Sequence, residues 1–474
     1  MTYREAIEYL NTFVNYERNT TYQYKSALNL KRVKGLLACL GDPQNGFKSI
    51  HVSGTKGKGS VCAFAAYILR TAGYKVGLYT SPHLYDIRER IRILKPLSGN
   101  NRNLSCAEFE GSISRKELSG LVAGLKPILD QYRRNCPYGP LSFFEVYTVL
   151  SFLYFKEKKI DFAVLETGLG GRLDATNVVE AGVCGISSIS LDHTKLLGNS
   201  LTKIAGEKAG IIKRNKDRHK GRKPVVISAP QVKEVSRVIR NRCAKENAVL
   251  YSVGREIRYR DIKHGSKSQR FDLFGLRGEY RDLRIRMLGE HQVVNSALAV
   301  GLIESLAMRG QARIERKDIE NGLVAAIWPG RFEIVREGPL VVLDGAHNDA
   351  SAGNLRETLK KTCGGKDIIF VLGISRDKDI GGICRQFSPV GKKFILTRAD
   401  NPRAAYCGQI LQKLRLCKPG VAAFLSENVR DGLRLAFSKA GKGGVIVVTG
   451  SLFVVAEARR IILNNKGKYG QARS

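Results

Sequence analysis

The sequence predicts two successive α/β domains, each built on a largely parallel sheet, with the larger domain first. Short buried apolar runs alternate with helical segments along most of the 474 residues, which is the pattern of parallel strands covered by helices on both faces. The chain is also too long for a single ordinary core. The alternation begins again after Trp328-Pro329-Gly330, so the predicted domains are residues 1–326 and 327–474.

The predicted N-terminal domain begins with helices, because apolar residues recur at helical spacing in the first forty residues. A strand at 47–52 then runs into a glycine-rich loop, and a helix follows from Ser60 until Gly73 ends it. The remaining predicted elements are strands at 75–80, 161–165 and 183–189 and a helix at about 143–158. The polar stretch 95–119, rich in Gly, Asn and Ser, is predicted to be a surface loop or insertion.

The predicted C-terminal domain is smaller because its alternating series is shorter. Four short buried runs predict strands at 340–343, 368–372, 393–397 and 444–449, with helices between them. The join between the domains is predicted to lie close to Ala326–Pro329. We find no internal repeat and no low-complexity tract in either series.

The composition, 43% hydrophobic and 26% charged, is that of a soluble globular protein. No apolar run approaches the roughly 18 residues that a membrane-spanning helix needs. Residues 1–5 lack the basic and apolar regions of a signal peptide, so the expected location is cytoplasmic. The 10 cysteines are scattered without a C-x-x-C pair, so neither a zinc nor a redox site is expected.

The net charge of +36, from 79 Lys and Arg against 43 Asp and Glu, favours anionic partners. Nucleic acid is one such partner, and ATP or a chain of carboxylates are others. Basic residues concentrate locally at 213–223 and 466–473. No zinc-finger spacing or RNA-recognition aromatic signature accompanies them, and a generally solvated basic surface stays the simpler interpretation.

A glycine-rich loop after the first strand has the composition of a phosphate cradle. Its sequence is Gly54-Thr55-Lys56-Gly57-Lys58-Gly59-Ser60. Backbone N–H groups exposed by the glycines and the positive end of the following helix attract an anion. Lys58 adds a full charge, and Ser60 adds a hydroxyl for phosphate or Mg²⁺. Because Gly59 separates these two, the spacing differs from the common G-x-x-x-x-G-K-[ST] loop, and a purely structural turn stays an alternative.

Polar clusters follow four other predicted strands. They are Thr80-Ser81-Pro82-His83, 166–177, Asp192-His193 and Asp344-Gly345-Ala346-His347-Asn348. Ligands of open α/β sheets bind outside the carboxyl ends of strands, so we expect these clusters to converge on one crevice. Ser81, Glu166 and His193 form an oxygen-rich set with one imidazole, which suits Mg²⁺ beside phosphate. Considered alone, His193 could equally be a core histidine, and Glu166 could equally cap a turn.

The content and order of these motifs resemble the folylpolyglutamate synthase and dihydrofolate synthase family of the Mur ligase superfamily. The resemblance covers nearly the whole chain. The segments that carry it are 51–60, 81–84, 166–178, 191–193, 207–212, 291–292 with Asn295, 328–333 and 344–348. It implies an N-terminal P-loop-type parallel sheet domain with helices on both faces and a smaller C-terminal Rossmann-like α/β domain.

The resemblance implies an ATP-dependent carbon–nitrogen ligase of folate biosynthesis and one-carbon metabolism. Such enzymes join L-glutamate to dihydropteroate, or to the terminal γ-carboxylate of a folate, through an acyl phosphate that the glutamate amine attacks. The implied cofactors are ATP and Mg²⁺, expected as two ions, with K⁺ as a further candidate. The implied partners are these small molecules, with no nucleic acid and no membrane, and a monomer is expected. Whether one or both synthase activities are present stays open.

The resemblance also assigns roles to individual residues. Lys58, His193 and Lys208 are implied in catalysis, and Lys208 matches the lysine that the family carbamylates to carboxylysine. The implied metal ligands are Ser81, Glu166 and His193. The implied ATP-binding residues are Gly57, Lys58, Gly59, Ser60, Asn295, Arg331 and Asp344. The implied residues of the pterin substrate site are Ser142, Phe143, Phe144, Glu145, Leu173, Asp174 and Ala175. His347 is expected beside the nucleotide.

One departure and two alternatives accompany this interpretation. Lys56 stands where many bacterial relatives have Asn, which resembles the eukaryotic folylpolyglutamate form and leaves the subtype open. A cell-wall Mur ligase is the alternative within the superfamily, but segments 143–145 and 173–175 favour a folate substrate. A nucleic-acid-binding NTPase is the alternative from another class. It predicts an ATPase that DNA or RNA stimulates, with binding that weakens steeply with salt.

Overall fold

The computed structural model describes residues 1–17, 28–97, 109–214 and 222–464. Its N-terminal domain is built on a seven-stranded sheet in the order β3-β2-β4-β1-β5-β6-β7. Neighbouring strands are parallel except at the edge, where β3 runs antiparallel to β2. The strands are β1 (Lys48–Ser53), β2 (Val76–Tyr79), β3 (Ile91–Leu94), β4 (Phe162–Glu166), β5 (Val183–Ile186), β6 (Val225–Ser228) and β7 (Val249–Ser252).

Helices cover both faces of this sheet, each over its own apolar cluster. One cluster contains Leu36, Val146 and Leu165, and the other contains Ile50, Phe64 and Val300. The helices are α1 (Tyr3–Asn11), α2 (Leu30–Cys39), α3 (Lys58–Thr71), α4 (Arg115–Asn135), α5 (Phe143–Glu157), α6 (Thr194–Leu197), α7 (Leu201–Ala209), α8 (Lys233–Lys245), α9 (Glu290–Met308) and α10 (Arg316–Ala325). In the described ranges, no helix is both long and apolar enough to cross a membrane.

A small antiparallel sheet, ordered β10-β9-β8, follows β7 and precedes α9 in the sequence of the N-terminal domain. Its strands are β8 (Arg258–His264), β9 (Gln269–Phe274) and β10 (Glu279–Ile285). Glu304 of α9 anchors the β9–β10 turn, because its carboxylate accepts hydrogen bonds from the Leu276 and Arg277 amides and the Tyr280 hydroxyl. The sheet is thereby joined to a central helix of the N-terminal domain.

The C-terminal domain is a six-stranded sheet in the order β11-β12-β16-β13-β14-β15, parallel except for β11. Apolar clusters lie on both of its faces. The strands are β11 (Glu333–Arg336), β12 (Leu340–Leu343), β13 (Ile368–Leu372), β14 (Lys393–Leu396), β15 (Ala422–Leu425) and β16 (Val445–Thr449). The helices are α11 (Asp349–Cys363), α12 (Ile380–Phe387), α13 (Cys407–Cys417), α14 (Val429–Lys439) and α15 (Leu452–Asn464).

The predicted fold class is confirmed, and one stretch of the sequence prediction was wrong. The predicted loop 95–119 is helical at its end, because Ser114 and Glu117 form a capping box that starts α4 at Arg115. Residues 98–108 of that stretch lie outside the described residues, as do most of the basic segment 213–223 and all of 466–473. The domain boundary at 326 stays a prediction, and β11 begins at Glu333 on its C-terminal side.

Candidate active site

The glycine-rich loop connects β1 to α3 and is held against the end of β5. The Thr55 and Lys56 amides both donate to the Ser188 carbonyl, at 2.9 and 3.1 Å. Gly54 has a φ of 146°, and a Cβ there would lie 1.9 Å from Ser187 Oγ. No other residue type therefore fits so close to the neighbouring strand. The loop reaches α3 in a fixed conformation, with Lys58 as the first residue of the helix.

Residues from outside the loop close over its second half. Gly57 has a φ of 87°, and a Cβ there would lie 2.4 Å from Asn295 Oδ1 on α9. A Cβ on Gly59 would lie 2.9 Å from the ring of Trp328. The predicted nucleotide residue Asn295 therefore lies against the loop, and Trp328 covers the point where α3 begins.

Glu166, at the end of β4, lies beside the loop as predicted for a metal ligand. Its Oε2 accepts a hydrogen bond from the Ser81 amide at 3.1 Å, and its Oε1 is 3.9 Å from Lys58 Nζ. Burial raises the pKa of this carboxyl, while Lys58 acts in the opposite direction. A bound cation would stabilise the buried Glu166 carboxylate. Ser81, whose backbone amide donates to this carboxylate, also carries a hydroxyl.

His193 lies after β5, at the rim between the domains, and keeps 50% of its side-chain surface exposed. Its backbone is left-handed, with a φ of 49°, which is uncommon for a residue other than glycine. Partial desolvation lowers the pKa of His193 to about 4, and Lys378, Lys208 and Lys58 act in the same direction. The imidazole is therefore neutral near pH 7, the form that binds metal.

Lys208, near the end of α7, is buried beside the same loop. Its Nζ donates to the Gly54 carbonyl at 2.7 Å. Burial holds the pKa of Lys208 well below its usual range, and the charge of Lys58 lowers it further. The neutral amine, which is the nucleophilic form, is therefore more favoured at Lys208 than at an exposed lysine.

The donor set fits a magnesium ion that phosphate helps to hold. In the part of the chain that the structure describes, no three His, Cys, Asp or Glu side chains form a cluster able to hold a metal. Glu166, Ser81 and His193 alone would leave most positions of an octahedral shell to phosphate and water. Mg²⁺ binds in that way beside nucleotides, whereas a structural zinc site would need a complete set of protein ligands.

Arg331 faces this site from the C-terminal domain. Its charge lowers the pKa of both Glu166 and Asp344, although burial raises the pKa of each carboxyl overall. Asp344, at the end of β12, accepts hydrogen bonds from the Phe332 and Ala346 amides at 2.8 and 2.9 Å. Phe332 has a φ of 45°, so the turn that carries Arg331 is strained and is held by Asp344.

A cluster of charged side chains joins the two domains beside the loop. Lys56 Nζ is 2.7 Å from Asp192 Oδ2 and 3.3 Å from His347 Nε2. Lys378 Nζ, from the C-terminal domain, is 3.9 Å from Asp192 Oδ1. His347 Nδ1 lies 2.7 Å from the Gly345 carbonyl, which can only accept, so Nε2 is left to accept from Lys56. The sequence analysis found Asp192 and His347 at strand ends but missed Lys378.

The segment Ser142–Glu145 forms the start of α5, and two of its four side chains make contacts that stabilise the helix start. Ser142 and Glu145 form the capping box of the helix, and Glu145 also pairs with the buried Arg32 at 2.9 Å. Phe143 is buried against Tyr147, with ring centroids 5.6 Å apart. Their role in substrate binding stays a prediction.

Phe144 is the partly exposed member of that segment. Its ring would meet a Cβ on Gly168 at 2.7 Å, and its centroid is 6.0 Å from that of Tyr79. Phe144 therefore offers an aromatic face beside the glycine-rich turn after β4.

The segment Leu173–Ala175 follows that turn. Asp174 is buried and accepts hydrogen bonds from the Gly168 and Leu169 amides at 2.8 and 2.9 Å. Ala175 is also buried, and Leu173 is partly exposed. Asp174 thus shapes the turn, while Leu173 is open to contact, and the predicted pterin contacts of all three residues stay predictions.

A cleft lies between the domains, and some of these groups line it. One wall includes residues that follow β2, the last residue of β4 and the start of α3. The opposite wall includes the turn Trp328–Arg331. The residues that line it are Gly59, Thr80, Ser81, Pro82, His83, Leu84, Glu89, Phe109, Glu166, Trp328, Pro329, Arg331 and Leu452. Of the predicted site residues, Gly59 of the loop, Ser81 and Glu166 of the metal set and Arg331 of the C-terminal domain line this cleft. The lining does not include Lys58, His193, Lys208, Asn295 or Asp344.

Two family models match the chain in the same order as the two sheets. The Mur ligase middle domain matches residues 132–303, and the Mur ligase glutamate ligase domain matches residues 330–452. Together with the cleft, these matches place the chain in the class of Mur-type ATP-dependent ligases.

Similarity to individual proteins indicates which family of Mur-type ligases this chain belongs to. A dihydrofolate synthase/folylpolyglutamate synthase of Bacillus subtilis is 34% identical over 91% of this chain and 94% of its own length. A crystal structure of Mycobacterium tuberculosis folylpolyglutamate synthase complexed with ADP and AMPPCP is 31% identical, with a TM-score of 0.83, and covers 92% of this chain and 96% of that chain. A structure of E. coli FolC in complex with DHPP and ADP is 27% identical, with a TM-score of 0.79, and covers 98% of both chains.

The chain belongs to the folylpolyglutamate synthase/dihydrofolate synthase family of the Mur ligases. Its activity is ATP-dependent glutamate ligation in folate metabolism. The loop at Gly54–Ser60 is accordingly the part of the cleft where the phosphates of ATP are expected.

Proposed function

We propose that this chain joins L-glutamate to the carboxylate of dihydropteroate, or to the γ-carboxylate of a folate, through an acyl phosphate. The observation that carries the proposal is the single cleft in which the loop, Glu166 and Arg331 meet. In this scheme the acceptor carboxylate attacks the γ-phosphorus of ATP, and ADP leaves. The glutamate amine then attacks the acyl carbon, and phosphate leaves as the amide forms.

The loop supplies the nucleotide end of this reaction. The amides at Gly57–Ser60 and the N-terminus of α3 bind the ATP phosphates, while Lys58 stabilises the negative charge on the transferring phosphoryl group. Arg331 and Asp344 reach the nucleotide from the C-terminal domain, and Asn295 reaches it from α9. Closure of the two domains excludes water, which would otherwise hydrolyse the acyl phosphate.

Ser81, Glu166 and His193 would hold Mg²⁺, and a second ion would share phosphate oxygens. The metal would supply electrostatic stabilisation of the phosphoryl oxygens. This chain's own contribution is a buried carboxylate, a neutral imidazole and a hydroxyl at fixed positions beside Lys58. K⁺ stays a candidate to which no residue of the chain is assigned.

Lys208 is proposed to carry a carbamate. The neutral amine that burial favours adds to CO₂ with loss of one proton, and a carbamate anion results. The product would place negative oxygens beside Lys58, where a protonated lysine would repel both Lys58 and a metal ion. This change of charge explains why a lysine is buried beside a cation.

The incoming glutamate is proposed to bind at the charged cluster between the domains. Glutamate carries two carboxylates, and Lys56 and Lys378 approach one shared carboxylate, Asp192, from opposite sides. A substrate carboxylate would pair with one of these lysines in place of Asp192. His347, whose neutral Nε2 accepts from Lys56, supports that lysine at the cluster.

The acceptor is proposed to bind along Phe144 and Leu173, the partly exposed side chains of the two predicted substrate segments. A flat aromatic ring such as a pterin would stack on Phe144. The remaining residues of both segments hold the turn and the helix start that support this face.

The decisive assay is release of phosphate from ATP in the presence of glutamate, with dihydropteroate and tetrahydrofolate compared as acceptors. We expect turnover with at least one acceptor and a loss of turnover in Lys58→Ala. Phosphate release that DNA or RNA stimulates, and that glutamate and both acceptors leave unchanged, would overturn the proposal in favour of a nucleic-acid-dependent ATPase.

The chain is further proposed to act as a cytoplasmic monomer on small molecules alone. Its basic net charge then serves anionic substrates, since ATP, glutamate and folates are all anions. Sedimentation at assay concentration checks the monomer, and a dimer that alone is active would contradict it.

A further inference from the structure

One wall of the cleft reaches across to the C-terminal domain. The loop that follows β2 supplies residues 80–84 to the cleft lining. The side chain of Leu84 packs against an apolar cluster of the C-terminal domain that includes Val455. Both Cδ atoms of Leu84 lie 3.6 Å from the position of a Cβ on Gly330, in the turn of the opposite wall. Leu84 therefore joins the two walls directly.

The next residue, Tyr85, forms a second contact between the domains at the rim of the cleft. Arg460, near the end of α15, donates from Nη1 to the Tyr85 hydroxyl at 3.2 Å. Its guanidinium also lies 5.3 Å from the centroid of the Tyr85 ring. Tyr85 is 54% exposed, whereas Leu84 is half-buried. The apolar contact of Leu84 thus lies inside a polar contact at the rim.

The N-terminal side of both contacts is fixed by Glu89, which is 6% exposed. Its carboxylate accepts hydrogen bonds from three successive amides, those of Leu84, Tyr85 and Asp86, at 2.7, 3.1 and 2.8 Å. The backbone of the two contacting residues is therefore held to the N-terminal domain. An opening of the cleft must break both contacts, because these amides cannot follow the C-terminal domain without leaving Glu89.

The C-terminal side of the contacts is held by α15. Arg459 of this helix pairs with Glu333 at 2.9 Å, and Glu333 also accepts a hydrogen bond from the Gly330 amide at 2.9 Å. Gly330 and Glu333 lie on either side of Arg331, so α15 holds the turn that carries this arginine. The helix that reaches Tyr85 therefore also sets the position of Arg331.

The spacing of the two walls matters for the proposed acyl phosphate. If water attacks this intermediate, the water oxygen bonds to the acyl carbon or to phosphorus, and the bond from that atom to the bridging oxygen breaks. Phosphate and the original acceptor carboxylate are released, while one proton of the water goes to phosphate and the other to solvent. ATP is then converted to ADP and phosphate with no amide formed. A closed cleft prevents this loss until the glutamate amine attacks.

We propose that Leu84, Tyr85 and Arg460 form a latch that keeps the two walls together while the acyl phosphate is present, so that ATP is used for amide formation rather than for hydrolysis. The three side chains act through the spacing of the walls, and they are therefore positioning residues. This inference rests on the acyl-phosphate reaction proposed above.

The latch is tested by measuring phosphate release from ATP with acceptor and without glutamate, in a buffer without amines, so that water is the nucleophile. We expect Arg460→Met to raise this rate about two- to fivefold, the change in an equilibrium that loss of an exposed cation–aromatic contact gives. Leu84→Ala should raise it further, because it removes the apolar contact inside the rim. A merely structural defect would instead lower this rate together with kcat for amide formation.

A double-substitution cycle tests whether Arg460 acts through Tyr85. Tyr85→Ala and Arg460→Met should each raise the hydrolysis, and the double variant should raise it no more than the stronger single variant. Tyr85→Phe keeps the ring and should have a smaller effect than Tyr85→Ala. Effects of the two single substitutions that multiply in the double variant would overturn the pairing.

Lys439→Met is the matched control. Lys439 Nζ lies 3.9 Å from the centroid of the Phe424 ring, and both residues belong to the C-terminal domain, so this variant should leave the hydrolysis unchanged. Unchanged or lower hydrolysis in either Arg460→Met or Leu84→Ala would overturn the latch. If Leu84→Ala does not fold, Arg460→Met and Tyr85→Phe, at exposed positions, decide by the same rate. An unsubstituted enzyme whose phosphate release with glutamate needs no acceptor would instead contradict the acyl phosphate and the proposed function.

Discussion

Lys208 shows how burial alone can change the chemistry of a side chain. Its amine is enclosed beside Lys58 and donates to the Gly54 carbonyl, so the neutral form is favoured. The family resemblance pointed to this lysine, but its neutral state depends on packing that the sequence does not display. The same holds for His193, whose pKa is lowered by partial desolvation and by neighbouring lysines.

Carbamylation of Lys208 is the first prediction at the residue scale. In ¹³C-bicarbonate, the protein should show a carbamate carbon resonance that Lys208→Arg lacks. Lys213→Arg is the matched control, because burial also lowers the pKa of Lys213 to about 8 and its amine donates to two carbonyls. A resonance that persists in Lys208→Arg and vanishes in Lys213→Arg would place the modification elsewhere.

Lys378 carries the second prediction at this scale. Lys378→Ala should raise the KM for glutamate by about ten- to a hundredfold, since a hydrogen bond to a charged group contributes roughly 1.5–3 kcal/mol. The KM for ATP should change much less. Lys392→Ala is the control, because that lysine pairs with Asp367 on an exposed surface. Steady-state kinetics with each substrate varied in turn measures the difference, and a rise confined to ATP would contradict the assignment.

At the scale of elements, the connection from β1 through the loop to α3 carries the phosphate site. The loop has no freedom at Gly57, where both the positive φ and the contact with Asn295 exclude a side chain. Gly57→Ala should therefore raise the KM for ATP and lower kcat/KM by tenfold or more, since strain of about 1–3 kcal/mol falls on the loop.

Gly120 provides the matched comparison for this substitution. It lies inside α4, and a Cβ there would meet nothing within 4 Å. Gly120→Ala should leave activity unchanged and raise the stability by roughly 0.5–1 kcal/mol, because alanine favours a helix. ATP-dependent kinetics and denaturant unfolding of both variants test the pair. Equal activity in the two variants would remove Gly57 from the phosphate site.

The success of the sequence predictions differs between elements for physical reasons. Eight buried strands, β1, β2, β4 and β5 of the first sheet and β12, β13, β14 and β16 of the second, are continuous apolar runs and were predicted, whereas the buried strand β6 was missed. The strands β8–β10 carry many charged residues, and buried apolar side chains recur at two-residue spacing only at Phe271 and Leu273 and at Leu283 and Ile285. The edge strands β3 and β15 are short, so they left little periodic signal.

Some residues of the site could likewise be predicted from the sequence, and others could not. Loop, metal and nucleotide residues follow strand ends, and strand ends can be located in a sequence. The contact of Lys56 with His347 and the approach of Lys378 to Asp192 depend on how the two domains face each other. So does the contact of Tyr85 with Arg460, residues that lie 375 positions apart in the chain. These contacts are properties of the assembled molecule.

The whole molecule is held together partly by polar groups that must stay uncharged. His51 is fully buried on β1, its Nε2 lies 2.8 Å from Thr176 Oγ1, and burial lowers its pKa to about 3. An unfolded chain would protonate this histidine below about pH 6.5. Its contribution to stability is therefore complete above that pH and is lost as the pH falls toward 3.

This linkage gives a prediction for folding. Between pH 6.5 and 4, the free energy of unfolding of the N-terminal domain should fall, with His51 contributing at most about 1.4 kcal/mol per pH unit. His51→Gln keeps a donor for Thr176 and cannot titrate, so its unfolding free energy should fall less steeply. Denaturant unfolding at several pH values measures both slopes. Identical slopes would show that His51 does not titrate on unfolding.

The relation between the two domains is the feature on which function depends most. Arg331 reaches the site from one domain, the loop and Glu166 from the other, and Arg460 meets the Tyr85 hydroxyl at 3.2 Å near the cleft. In the proposed reaction, closure of the two domains around ATP, the acceptor and glutamate excludes water. An acyl phosphate would survive there long enough for the amine to attack.

The origin of the oxygen in the released phosphate tests that claim most directly. An acceptor labelled with ¹⁸O in its reacting carboxylate is turned over with ATP and glutamate, and the inorganic phosphate is analysed by mass spectrometry. The acyl-phosphate route predicts one ¹⁸O atom in each phosphate, because the carboxylate oxygen that attacked phosphorus leaves with it. Phosphate without ¹⁸O, formed together with the amide product, would contradict the account.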